Sequence, residues 1–394
     1  MPTPLLTALL PAIIACIATY VFVPQVRKFA IECRVADKPN GRRLHAHVIP
    51  HLGGIAIFGG VFLALLVSLG VHTVGDEVGQ VLALLPALVM VFWLGLVDDL
   101  RGLRASVKLF YQVLAAVAAV AMGAGFQNPN AAGAAGFVLL SLVSVLWYVG
   151  VCNSVNLIDG LDGLAAGCAT IAAAGFALLG FRLHDPAVVA VSLCLIGSLV
   201  AFLRFNFHPA RIFMGDTGSM FVGFTLASLA GLLTRRLDFW TVLLGSAAIM
   251  GLPIVDTASA ICRRLAQGRH IFEADGDHTH HKLLRVGLSH RGAVLVLYLL
   301  EAAFTVLGCG VLLGARACFA AAVALGLFSA LAVSALARRA GPIEAAPGFA
   351  PAVPLRSPVP VRAARVVPVA AAAKGAPHEE VLAALPPVVP HTRR

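Results

Sequence analysis

The chain has 394 residues, 59% of them hydrophobic and only 12% charged, with a mean hydropathy of +0.91. An average soluble domain carries roughly 25% charged residues, so 29 Lys/Arg and 19 Asp/Glu cannot supply the polar coat that a soluble protein of this length requires. Disorder, a disulfide scaffold and a nucleic-acid-binding domain are excluded as readings of the whole chain, and the net charge of +10 matters through its sidedness rather than its sum.

Apolar runs of about 20 residues repeat along the chain, the signature of membrane-spanning helices; the strict alternation of a β-barrel is absent. The expectation is an all-α, polytopic membrane protein with about eleven spans, near 4–24, 52–72, 78–97, 107–124, 135–152, 163–180, 187–205, 219–234, 239–260, 293–313 and 317–337. The first run lacks preceding basic residues and meets Arg27 and Lys28, the reverse of a cleavable signal peptide. This predicts a retained first span with its N-terminus outside. Alternate threading then puts seventeen Lys/Arg in the inner loops against four in the outer ones, and leaves the C-terminus cytoplasmic. Residues 341–394 hold half of the chain's 22 prolines and read as a disordered basic tail, apart from a membrane domain over 1–340. The eight cysteines are scattered singly, without metal or disulfide spacing.

The carboxylates defy the charge rule. Eleven of nineteen fall in inner loops or at the inner ends of spans, and only Glu301 lies within a span. Acids and bases gathered on one face suggest a site for an anionic substrate and a divalent cation. Asp98 and Asp99 close the third span in VFWLGLVDDLRGLRASVK. Two acids at a helix C-terminus oppose its dipole, so a metal, a shared proton, or Arg101 and Arg104 must compensate. A solvated pair balanced by those arginines remains the competing reading.

In NSVNLIDGLDGLAAG, residues 153–167, Asn153, Asn156, Asp159 and Asp162 recur every three residues, and Asp162 is expected to cap the following helix. Hard oxygen ligands at that spacing suit Mg²⁺, ribose hydroxyls or a base edge. In RFNFHPARIFMGDTGSMFVG, residues 204–223, Asp216 precedes a helix start whose free N–H groups would form an anion site, with Asn206 and Arg211 nearby. In GRHIFEADGDHTHHKLL, residues 268–284, His278, His280 and His281 stand with Asp275 and Asp277, but without the spacing of a zinc motif. Phosphate recognition is the alternative use of these imidazoles.

Five pieces in this order, DKPNGRRLHAHVIPHLGG (37–54), Asp98-Asp99, NSVNLIDGLDGLAAG, NFHPARIFMGDTGS (206–219) and HIFEADGDHTHHKLL (270–284), resemble the polyprenyl-phosphate N-acetylhexosamine-1-phosphate transferases, glycosyltransferase family 4. The resemblance covers about residues 1–337. The His278-Thr279-His280-His281 form looks like the WecA/TagO branch rather than the phospho-MurNAc-pentapeptide translocase branch, which carries three contiguous histidines. The translocase also has a Lys where His47 stands, so that contact is not carried over.

The resemblance implies an enzyme of the inner (plasma) membrane with its site on the cytoplasmic face. It would use Mg²⁺ to transfer a N-acetylhexosamine 1-phosphate, GlcNAc-1-phosphate first among them, from a UDP-sugar to undecaprenyl or another polyprenyl phosphate, releasing UMP and initiating cell-envelope polysaccharide or lipopolysaccharide synthesis. By position it implies Asn156 and Asp216 as metal ligands and Asp98 and Asp99 as catalytic acids, Asp98 serving as base. Asn153, Asp159, Asp162, Asn206, Arg269, His278, His280 and His281 would bind the donor. A homodimer stays open. Translocase activity is the alternative. A transporter would place acids at mid-membrane. A CDP-alcohol phosphotransferase fails because Gly167 occupies the place of its Arg.

Overall fold

The structure is a computed structural model that describes residues 4–33, 49–71, 76–128, 133–270, 277–315 and 317–339. The proline-rich segment 341–394, His47 and Asp275 lie outside the described residues. Every regular element among the described residues is helical. In chain order these are α1 (Pro4–Glu32), α2 (Gly53–Val71), α3 (Asp76–Arg101), α4 (Ala105–Ala119, extended by a π turn, Val120–Ala124), α5 (Gly133–Ile158), α6 (Leu164–Arg182), α7 (Pro186–Asn206), α8 (Gly215–Leu233), α9 (Phe239–Ile249), α10 (Gly251–Ala266), α11 (Thr279–Arg285), α12 (His290–Leu312) and α13 (Ala317–Arg339).

Among the described residues nine helices are long and apolar enough to cross a membrane, or ten if α9 and α10 form one broken span. The expected count of eleven differs in one place. The run at 52–72 yields a shorter apolar helix, Gly53–Leu69 over the residues that pass the test. The expected ninth span, 239–260, is not straight: its two halves meet at 84°. Gly251 and Pro253 sit at the break, one weak in helices and the other lacking a donor. A break at an apolar depth strands backbone groups, and α12 supplies partners for them. Glu301 Oε2 accepts from Leu252 N at 3.2 Å, and Thr305 Oγ1 donates to Ile249 O at 3.4 Å. Glu301, buried inside α12, therefore satisfies backbone.

The axis of the bundle is α8, buried from Thr217 to Leu233 and packed among α2, α3, α5, α6 and α7. By contrast α13 lies on the periphery and exposes Leu327, Phe328 and Leu331, as a lipid-facing helix does. Close approach to the first turn of α8 depends on two glycines. A Cβ on Gly54 would stand 2.1 Å from Gly218 N, and one on Gly95 would stand 2.5 Å from Thr217 Cα. The chain before α2 also pairs with the chain before α8, through Gly53 N to Phe213 O (2.9 Å), Gly54 N to Met214 O (2.8 Å) and Phe213 N to Pro50 O (2.8 Å). Two arginines far from this turn hold the other end: Arg236 pairs with Asp185 at 3.3 Å, and Arg235 donates to the Gly123 carbonyl at 3.0 Å.

Because the atoms facing Gly95 belong to the Asp216–Thr217 backbone, they cannot rotate away. Gly95→Val is expected to lower the stability of the detergent-solubilised protein by about 1–3 kcal/mol. Gly150→Ala, with nothing within 4 Å of its Cβ, should not. Thermal denaturation of the two variants checks this.

Candidate active site at one end of the bundle

The C-terminal ends of α3, α5 and α7 and the N-terminal ends of α4, α6, α8 and α12 share one end of the bundle, and the sequence-predicted polar residues gather there. The adjacent acids of α3 diverge. Asp99 reaches α8, accepting from Asp216 N and Thr217 N, both at 2.9 Å, and from Thr217 Oγ1. No side chain at the helix's own N-cap, Met214, caps it, so a carboxylate from another helix does. The anion site expected at the start of α8 is thus filled by Asp99. Gly215, at φ +72°, makes the entry turn possible, and a Cβ there would lie 2.6 Å from Asp99 Oδ2.

Asp98 turns the other way. It accepts from Leu103 N at 2.7 Å, and its Oδ2 lies 2.6 Å from Lys108 Nζ. The same ammonium donates to Asp216 Oδ2 at 2.8 Å. Asn156 Nδ2 donates to Asp216 Oδ1 and to Ser219 Oγ, each at 2.8 Å. Compensation for the acid pair therefore comes from Lys108 and the N-terminus of α8. Arg101 and Arg104 are exposed. In the sequence Lys108 is one of the seventeen basic residues assigned to the inner loops. The available signal was Lys108 and Gln112 four apart on an otherwise apolar helix, hence on one face.

Asn153 pairs with Gln112: its Nδ2 donates to Gln112 Oε1 and to Val149 O, both at 2.8 Å. Asp159, in the turn between α5 and α6, has its carboxyl pushed up to about 7, first by burial and then by the charges of Asp216, Asp99 and Asp162. One expectation needs correction. Asp162 does not cap α6, whose N-cap is Gly163 in a left-handed turn at φ +79° without a side-chain bond. The Asp162 carboxylate instead meets His208 Nδ1 at 2.7 Å and accepts from Ala210 N at 3.0 Å. Asn206 is buried and bonded to backbone, accepting from Gly163 N and donating to Ile212 O, both at 3.0 Å. Both side chains hold loops against one another.

The histidine segment docks through a residue the sequence left unassigned. Asp256 on α10 meets His278 Nδ1 at 2.7 Å and accepts from Thr279 N and Oγ1 at 2.8 and 2.6 Å. One carboxylate orients an imidazole and caps α11. Asp277 pairs with Arg285, with Lys282 at 3.5 Å and with Arg263 at 3.6 Å. His280 is buried against the turn at Gly160, whose Cβ would come within 2.2 Å of His280 Nε2. Arg269 lies beside the segment outside the described residues and donates to Gln267 Oε1 at 3.5 Å. His281 packs against His280 with ring centroids 4.2 Å apart and planes tilted at 49°.

These features define a multi-pass membrane protein with a carboxylate, lysine and amide cluster at one end of its helices. The chain belongs to glycosyl transferase family 4. The family model matches residues 81–234, which take in Asp98, Lys108, Asn156 and Asp216. The chain is 37% identical over 300 residues to a Bacillus subtilis protein described as a probable undecaprenyl-phosphate N-acetylglucosaminyl 1-phosphate transferase, covering 75% of this chain and 82% of the relative. It is 35% identical over 327 residues to a Mycobacterium tuberculosis decaprenyl-phosphate N-acetylglucosaminephosphotransferase, covering 75% and 80%. A phospho-N-acetylmuramoyl-pentapeptide-transferase of Oceanobacillus iheyensis is 30% identical over 327 residues, covering 77% and 96%.

The His280 imidazole is pulled down to about 3, first by burial and then by His281. Since the folded state favours the neutral ring, its contribution is present above the ordinary value and fades as pH falls below about 6.5. Amide hydrogen exchange over 279–285, corrected for intrinsic rates, should accelerate on crossing that pH downward, and less so in His280→Phe.

Proposed function

We propose that the protein transfers N-acetylglucosamine 1-phosphate from UDP-N-acetylglucosamine to a polyprenyl phosphate, giving a polyprenyl diphosphate sugar and UMP. The observation that carries this reading is the linkage of Asp98, Lys108, Asp216 and Asn156 at the end of an apolar bundle. A phosphate anchored in lipid can meet a soluble nucleotide at such a place. The names of the relatives supply the chemistry, and two of the acids, Asp98 and Asp216, converge on Lys108.

That donor set fits a hard divalent cation. Carboxylate, amide and hydroxyl oxygens of Asp216, Asn156 and Ser219 suit Mg²⁺, and the acids outnumber Lys108. In the proposed reaction Asp216 and Asn156 would hold the ion, which would neutralise pyrophosphate charge when bound. An oxygen of the lipid phosphate attacks the sugar-bearing phosphorus, and the bond to the bridging oxygen breaks to release UMP. Asp98 takes a remaining proton from the lipid phosphate. Lys108 draws the two phosphate groups together. Asp99 acts by fixing Asp216, and Asp162 and Asn206 by fixing the loops. Asp159 remains for the donor. His278, oriented by Asp256, joins Arg269 and His281 toward its phosphates, while His280 packs beneath them and Asn153 is held through Gln112.

The same reading assigns the reaction to the cytoplasmic face of the inner membrane, where UDP-sugars are made, and the whole of the chemistry to residues 1–340. The four-residue form His278-Thr279-His280-His281 favours a UDP-N-acetylhexosamine donor over UDP-MurNAc-pentapeptide.

Purified protein with Mg²⁺, polyprenyl phosphate and labelled UDP-sugars is expected to yield lipid-extractable label from UDP-N-acetylglucosamine. Asp98→Asn should lower the rate by about 10²–10⁴-fold, and Asp216→Asn should also raise the Mg²⁺ requirement. Label from UDP-MurNAc-pentapeptide alone would reassign the donor, and no lipid label from either would overturn the reading. A chain ending at residue 340 is expected to retain the transfer rate, and a reporter fused after residue 345 to score cytoplasmic.

A further inference from the structure

Beside the oxygen-lined cluster stands a second group of side chains with different donor chemistry. Asp162 lies in the turn between α5 and α6, His208 in the loop after α7, and His290 at the first position of α12. One donor atom of each lies within 4.8 Å of the other two. Around a tetrahedral ion with bonds of about 2.0–2.1 Å, donor atoms sit roughly 3.4 Å apart, a closure that rotation of two half-buried imidazoles can supply.

The surroundings are organised for such a set. Asp162 is buried, and its Oδ2 is held by Ala210 N at 3.0 Å while meeting His208 Nδ1 at 2.7 Å. His208 is fixed from behind, because Arg291 donates Nε and a terminal nitrogen to His208 O at 3.2 and 2.9 Å. The His208 and His290 rings lie parallel, with centroids 4.1 Å apart and planes at 18°. Rings so placed can each turn a ring nitrogen toward one cation.

We propose that Asp162, His208 and His290 form a binding site for a borderline divalent transition cation of the Zn²⁺ class, separate from the proposed Mg²⁺ position. Two imidazoles and one carboxylate are a zinc-type set, with water completing the coordination. Mg²⁺, which prefers oxygen and gives up its water reluctantly, is excluded by the same chemistry. The three ligands come from three separate segments, so the ion staples the turn bearing Asp159 to the loop leading to Asp216 and to the start of α12. The proposal does not depend on the identity of the sugar donor.

The test uses full-length protein, freed of any affinity tag, stripped with chelator and dialysed against Zn²⁺ in excess Mg²⁺. Metal analysis is expected to give one more equivalent of Zn²⁺ in the wild type than in His208→Ala or His290→Ala. His281→Ala, which removes a neighbouring imidazole, should retain that equivalent. X-ray absorption of the loaded wild type should report two imidazoles in an all nitrogen and oxygen shell, and loading should raise its thermal midpoint. Equal Zn²⁺ in wild type and both site variants would overturn the proposal. So would loss in His281→Ala alone, or a shell with fewer than two imidazoles. The spectrum needs no variant, so a misfolded substitution cannot shelter the idea.

Discussion

The capping of α8 by Asp99 is the interaction on which the rest of this end of the molecule depends. A buried helix start has N–H groups that water cannot reach, and a bundle of apolar helices has few acceptors to offer. Asp99 supplies both oxygens from another helix, to Asp216 N and Thr217 N. The cap thereby fixes the backbone of Asp216, whose own carboxylate faces Lys108 and Asn156. It also resolves the conflict of two acids at the C-terminus of α3: one meets the positive end of a helix and the other a lysine, so neither relies on solvent. The glycines at 54 and 95 belong to the same device, since only their missing side chains let α2 and α3 close on that first turn.

Much of this was legible in the sequence, for physical reasons that differ by level. Long apolar runs declare membrane helices because lipid tolerates little else. Carboxylates confined to span ends announce a shared surface because burying them elsewhere is costly. What the sequence could not convey was the direction of each side chain. Asp98 and Asp99 are neighbours in the chain and were read as one unit, yet successive side chains on a helix diverge by about 100°, and these two face different partners. The sequence points to Asp162 as the cap of the helix beside it, but the left-handed Gly163 intervenes and Asp162 reaches His208 and Ala210, 46 and 48 residues on. Local pattern identifies a cap only when the cap is local.

The residues that were missed share a cause. Lys108, Gln112 and Asp256 sit within helices whose composition is otherwise apolar or mixed, so each looked like an isolated polar residue. Their significance is tertiary. Lys108 links α3 to α8, Gln112 links α4 to α5, and Asp256 ties α10 to the His278 segment. The broken span has a similar logic. Gly251 and Pro253 permit a break, but whether one forms depends on an acceptor at the right depth, and Glu301 provides it from α12. A lone acid in a span reads as a transport signal until the unpaired backbone opposite it is located.

The arrangement also separates two kinds of rigidity. At the oxygen-lined cluster, side chains from α3, α4, α5 and α8 meet inside the bundle, where helix packing fixes them. Across the neighbouring loops, position is set by polar clamps: Asn206 between Gly163 and Ile212, Asp162 between His208 and Ala210, Arg291 on the His208 carbonyl, and Tyr298 on the Gly163 carbonyl. Loops cannot borrow rigidity from lipid, which packs only against the apolar flanks, so their geometry rests on these directed contacts. A charge-neutralising reaction needs its anionic groups held apart until a cation joins them, and a helix-borne cluster does that. A nucleotide must enter and leave, and a clamped loop accommodates it with less disruption than a helix could. The division of labour between packed helices and clamped loops therefore follows from placing a polar site at the edge of an apolar body.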